Sequence, residues 1–127
     1  MYHASKWALE GLSQALAQEV AGFGIHVTLV EPGGFSTDWG DVSSQHAEPV
    51  AAYDDFRAKA EAVRAQRKAS RGNPEATRAA ILTVVDAPVP PLRVFFGDGP
   101  LAIATRDYEQ RLATWREWEH VSVAAQG

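Results

Sequence analysis

Residues 25–39 read IHVTLVEPGGFSTDW, and the fold class turns on how that stretch is parsed. Its first eight residues are rich in β-branched side chains and stop at a proline, which predicts a strand over Ile25–Pro32. Ile25, Val27 and Leu29 alternate with Thr28 and Val30, so neither face of the strand is strongly polar, as in a strand buried on both sides. Pro32, Gly33 and Gly34 then open a loop through FSTDWGDVSSQHAEP, whose glycine, serine and aspartate content predicts no regular structure. Loops of that length are often functional.

Upstream, Tyr2 to about Ala21 contains no proline and is dominated by alanine, leucine, glutamine and glutamate, which predicts a helix stopped by Gly22 and Gly24. At roughly 100° per residue, Leu9, Leu12, Leu16 and Val20 share one stripe, with Ala4, Ala8 and Ala15 beside it. That arc is wide enough to cover a sheet and touch a second surface. Downstream, residues 49–70 read as an exposed helix of alternating charge. Asn73, Pro74 and Glu75 supply a cap, a first-turn proline and an acid for a further helix through TRAAILTVVDA. PVPP breaks the chain before a second buried strand, LRVFF. A last helix, from about Leu101 to Glu119, carries Leu101, Tyr108, Leu112 and Trp115 at helical spacing. Two strands joined by a helical crossover should be parallel neighbours. A pair alone leaves an edge exposed, so the expectation is a single partial domain over residues 1–127, belonging to a larger doubly wound α/β fold.

The first helix begins with a chemically suggestive pair. Tyr2 and Lys6 stand four residues apart, hence on one face. An ammonium beside a phenol favours the phenolate, and the positive end of the helix acts in the same sense. Such a tyrosine could give a proton to a carbonyl or take one from an alcohol. Taken alone, the spacing occurs by chance in many helices and is better read as an ordinary surface pair. What lifts it is the loop after Pro32, because open α/β sheets bind ligands outside the carboxyl ends of their strands.

YHASK at residues 2–6, the helix ALEGLSQALAQEV and then VTLVEPGGFSTDW together resemble the short-chain dehydrogenase/reductase family, in detail over Tyr2 to Trp39 and in element order beyond. The resemblance implies the C-terminal half of a Rossmann-like parallel sheet and an NAD(P)-dependent oxidoreductase chemistry, carbonyl reduction or alcohol oxidation. It implies Tyr2 as the catalytic acid/base and Lys6 as the residue that assists it and holds the nicotinamide ribose. Pro32, Gly33, the backbone of Phe35 and the hydroxyl of Thr37 match the elements that embrace the nicotinamide. A threonine in a loop can also simply bond its own backbone. Ser5 matches a small residue of the motif without a chemical role. Trp39, Tyr53 and Phe56 are candidates to line the substrate pocket, and plain packing would serve for them as well.

The family's glycine-rich phosphate cradle, its cofactor-selecting residue and its catalytic serine precede the tyrosine, and this sequence has no counterpart to them. Gly97 to Ala102, GDGPLA, fits G-x-G-x-x-A after a strand and before a helix. However, Asp98 would oppose phosphates and Pro100 lacks a backbone donor. The expectation is thus a fragment of an NAD- or NADP-dependent oxidoreductase acting on a small carbonyl or alcohol. The alternative is a catalytically inactive truncated member, serving as a self-associating or interaction module. Helix 2–21 would pair subunits in a homo-oligomer in either case.

Composition narrows the classes further. With 127 residues, 46% of them hydrophobic, the chain is long enough for one sizeable core. A formal net charge of −4 argues against a nucleic-acid partner. The absence of cysteine excludes disulfides and thiolate chemistry, and no apolar run approaches a membrane span, so the expected location is cytoplasmic. His3, His26, His46 and His120 lack paired spacing, giving no metal site.

Overall fold

A computed structural model describes residues 2–37, 47–68 and 71–127. Its elements follow the order α1 (Tyr2–Val20), β1 (Leu29–Pro32), α2 (Asp54–Lys68), α3 (Thr77–Val85), β2 (Arg93–Phe96), α4 (Pro100–Glu117) and α5 (Glu119–Ala124). The chain divides into two compact units, Met1–Gly97 and Asp98–Gly127.

In the first unit β1 and β2 form a parallel pair in the register Leu29↔Arg93, Val30↔Val94, Glu31↔Phe95 and Pro32↔Phe96. The ladder is continued at its two ends by Leu29 N–H to Leu92 O (2.8 Å) and Gly33 N–H to Phe96 O (2.8 Å). This is the expected α/β arrangement, with α2 and α3 in the crossover. The first strand is half as long as its sequence suggests, because residues 25–28 are not paired. In this register they run beside the Val89–Leu92 segment, whose Pro90 and Pro91 have no N–H to donate. Thr28 instead donates its hydroxyl to Pro91 O at 2.8 Å.

Helix α1 ends as its glycines require. A 3₁₀ turn over Ala21–Phe23 leads to Gly24, at φ 70°, whose N–H returns to Ala21 O. The face it turns inward is not the leucine stripe. Glu10, Ser13, Ala17 and Val20 are the half-buried positions, whereas Leu9, Leu12 and Leu16 are exposed. Arg93 at the start of β2 fixes this choice: its Nε donates to Glu10 Oε2 at 3.0 Å and its Nη2 to Gln14 Oε1 at 2.8 Å.

The expected large core and the double-sided burial of the strands are not realised. Leu29, at 9% exposure, is the one buried hydrophobic residue among those described; the β2 residues are all half-buried. A two-stranded sheet of four residues each is too small to cover what packs on it. Leu9, Leu12 and Leu16, 44–67% exposed, each forgo part of the about 1.5–3 kcal/mol that full burial contributes.

Before α3, Asn73 caps a 3₁₀ turn by accepting from Glu75 N–H, with Pro74 at the first position, as its sequence predicts. In the second unit α4 starts one residue earlier than expected, at Pro100, and Trp118 separates it from α5. Leu101, Tyr108, Leu112 and Trp115, which the sequence sets at helical spacing, are exposed. Among the described residues no helix is long and apolar enough to cross a membrane.

Candidate active site

The direction of α1 decides what its first turn can meet. A cleft at its C-terminal end is lined by Ala17, Gln18 and Ala21 of the helical segment together with Ile25, Val27, Pro90 and Leu92, residues that precede the strands. Arg93, at the first position of β2, reaches Glu10 and Gln14 nearer the middle of the helix. The helix therefore runs antiparallel to the strands. Its N-terminal turns head toward the end of the sheet where β1 and β2 finish, which is the end from which the Gly33–Thr37 loop departs.

Tyr2 and Lys6 are brought together as helical geometry demands, with Lys6 Nζ 5.5 Å from the centre of the Tyr2 ring. Tyr2 is half exposed, its ring meets His3 edge-on at 5.6 Å, and its carbonyl accepts from Ser5 Oγ at 2.8 Å. Ser5 thus serves the first turn of the helix, and its hydroxyl is directed at the backbone.

The loop after β1 is held from two sides. Gly33 N–H extends the ladder to β2. Farther on, Gly72 N–H donates to Gly34 O at 2.9 Å and Ser36 N–H donates to Gly72 O at 3.0 Å, a parallel bridge centred on Phe35. The Phe35 ring lies against Gly72 so closely that a Cβ there would stand 2.9 Å from Cε1. Glycine at 72 is what permits this approach. The segment is accordingly fixed by main-chain bonds, with Pro32, Ser36 and Thr37 exposed and Gly33 and Phe35 half-buried.

The remaining sequence candidates are not gathered into a pocket. Tyr53 and Phe56 are 62% and 71% exposed, around the start of α2, where Arg57 donates to Val50 O and pairs with Asp54. Trp39 and His46 lie outside the described residues. Among the described residues no group of three histidine, aspartate or glutamate side chains converges for a metal.

Sequence reasoning missed the charged cluster under α1 and the role of Gly72. Glu31 was its available signal, an acid inside an apolar strand run. Its Oε1 is shut off from solvent without a hydrogen bond, 3.5 Å from Arg93 Nε. The buried surroundings of the carboxyl raise its pKa above the ordinary 4.5, with the Glu10 charge adding to the rise and Arg93 opposing it.

A parallel strand pair joined by a helical crossover, with a helix antiparallel to it, defines an α/β protein. The chain belongs to the short-chain dehydrogenase/reductase family. The profile described as short chain dehydrogenase matches residues 1–48. Oxidoreductase BOA17 of Botryotinia fuckeliana (strain B05.10) is 36% identical across 98% of the chain, which covers 46% of that protein. Human 17-beta-hydroxysteroid dehydrogenase type 1 is 34% identical over 75% of the chain and 31% of its own length. A crystal structure of a short-chain dehydrogenase from Streptomyces avermitilis superposes with a TM-score of 0.77 at 36% identity, over 98% of this chain and 45% of that one. The chain thus spans about half the length of these relatives or less.

Members of the family generally use NAD(P). The donors present here suit one end of such a dinucleotide. A phenol, an ammonium and a threonine hydroxyl, with a glycine-rich main chain pinned by Gly72, match the needs of a ribose and a carboxamide. The pyrophosphate finds no equivalent fit in the Gly97–Ala102 segment, where Pro100 occupies the first turn of α4 and Asp98 carries negative charge.

Proposed function

We propose that the chain supplies the proton-transfer half of an NAD(P)-dependent oxidoreductase that interconverts a small carbonyl compound and its alcohol. The observation that carries this reading is the placement of Tyr2 and Lys6 on the turns of α1 that head toward the loop leaving β1. In reduction, Tyr2 Oη would give its proton to the carbonyl oxygen while the carbonyl carbon gains a hydride; in oxidation both moves reverse. The hydride is what the bound nicotinamide supplies or accepts. Lys6 would stabilise negative charge developing on the phenol oxygen and bind the ribose hydroxyls. Pro32, Gly33, the Phe35 backbone and Thr37 would hold the nicotinamide and its carboxamide. Trp39, Tyr53 and Phe56 stay candidates for substrate contact from sequence alone, with plain packing as their alternative role.

Turnover of NADH or NADPH with a panel of ketones and aldehydes, with Tyr2→Phe as control, tests the reading. Activity lost in Tyr2→Phe by about 10²–10⁴-fold supports it; cofactor binding absent by calorimetry, or turnover unchanged in Tyr2→Phe, refutes it. A second reading, a self-associating module without activity, draws on the exposure of Trp7, Leu9, Leu12 and Leu16 on α1. Under it the chain would form homo-oligomers through helix 2–21. A monomer on size exclusion at micromolar concentration would remove that reading.

A further inference from the structure

One guanidinium serves two carboxylates where α1 meets the sheet. Arg93 Nε carries a single hydrogen, which Glu10 Oε2 takes at 3.0 Å; Glu31 Oε1, 3.5 Å from the same nitrogen, accepts no hydrogen bond and is closed to water. Nη2 is directed to the neutral Gln14 amide at 2.8 Å. The three charged side chains are each about one-third exposed or less, so the contacts are partly desolvated. Glu10 stands on α1 one turn after Lys6, and Glu31 immediately precedes Pro32 on β1.

We propose that Glu10, Glu31 and Arg93 form an electrostatic latch between α1 and the β1–β2 pair, in which Glu31 competes with Glu10 for Arg93 and neutralising Glu31 tightens the hold on the helix. The charged groups facing Glu31 are Glu10 from α1 and Arg93 from β2. With Glu31 ionised, two negative charges crowd one positive charge, and Oε1, closed to water without a hydrogen bond, is desolvated at a cost. With Glu31 neutral, Arg93 belongs to Glu10 and Gln14 alone. The raised pKa of Glu31 agrees with this geometry. A carboxyl whose folded pKa lies above its unfolded value stabilises the fold fully below the unfolded value, and that contribution is lost as pH rises through the folded one. The Glu31 contribution is therefore full below 4.5 and is lost as pH rises through the raised folded value. This holds whether or not the chain is an enzyme.

The test is a carbon-13 titration of the glutamate carboxyls in the whole isotope-labelled chain. The expected result is a Glu31 midpoint above 4.5, moving down in Glu10→Gln and up in Arg93→Met. A midpoint at the ordinary value, or one that Glu10→Gln leaves unmoved, overturns the proposal. Thermal melts of Glu31→Gln give a second readout that needs neither of those variants. A melting point raised by a few degrees (~2–6 °C) at pH 7, with the gain vanishing at pH 4, is expected; a lowered melting point at pH 7 overturns the latch.

Discussion

Two turns leave the carboxyl ends of the paired strands, and in sequence both look like places to hold a ligand. Gly33–Thr37 follows β1, and Gly97–Pro100 follows β2. The first is clamped by main-chain bonds to Gly72 and lies at the end of the sheet toward which Tyr2 and Lys6 are carried. The second has the closer match to a phosphate-binding fingerprint, yet its chemistry is wrong for phosphate: an aspartate in the turn and a proline at the start of the helix. A spacing of glycines becomes a site only when the groups around it are ones the ligand can use. A backbone pinned by Gly72 and a helix arriving from elsewhere with Tyr2 and Lys6 distinguish the first turn, and neither is a property of the turn's own sequence.

The largest expected effect separates the two turns by activity. In active protein, Tyr2→Phe should lower turnover by about 10²–10⁴-fold if, as proposed, the phenol carries the proton. Asp98→Asn should leave turnover and cofactor affinity within about twofold, an expectation consistent with a surface substitution that breaks no contact. Steady-state rates and cofactor titrations measure both. A gain in affinity of tenfold or more for Asp98→Asn would mean that phosphate does meet the second turn, and the comparison would break there.

Stability distinguishes them next. A Cβ at Gly72 would stand 2.9 Å from the Phe35 ring, so Gly72→Ala must push the ring or the backbone of the Gly34–Ser36 bridge. The cost should be about 1–3 kcal/mol by urea unfolding, the usual penalty of overpacking. Gly99 has an unstrained φ of −89°, and a Cβ added there would meet nothing within 4 Å, so Gly99→Ala should stay within about 0.5 kcal/mol. Between these falls Asn73→Ala, which removes the side-chain acceptor from Glu75 N–H and should cost about 1 kcal/mol.

What sequence alone revealed follows a physical boundary. Helix α1, the Asn73–Pro74–Glu75 start and the Gly24 stop were legible because propensity, capping and left-handed φ are decided within a few residues. The parallel pairing was legible from the helical crossover. The length of β1 was not, since it is limited by Pro90 and Pro91, far along the chain. Nor was the inward face of α1: a hydrophobic stripe points to Leu9, Leu12 and Leu16, whereas Arg93 draws Glu10 and Gln14 to the sheet. For the site, Tyr2 and Lys6 needed only helical geometry, but the clamp on Phe35 depends on a glycine 37 positions later and left no local trace.

The smallest effect offers the sharpest contrast between the turns. Gly99 sits at the cap position of α4 and makes no side-chain bond there. Gly99→Ser would add an acceptor for the open N–H groups of the first turn, and a cap of this kind improves on glycine by only a few tenths of a kcal/mol, ~0.2–0.5. Thermal unfolding should register that as a slight rise. The same substitution interrogates function, because a phosphate cradle requires glycine where the ligand approaches the backbone. If the second turn held the dinucleotide, the serine side chain would weaken cofactor binding strongly while stabilising the protein. If it is merely the link between β2 and α4, stability should rise slightly and binding should not change, and the latter is the outcome that Asp98 and Pro100 favour.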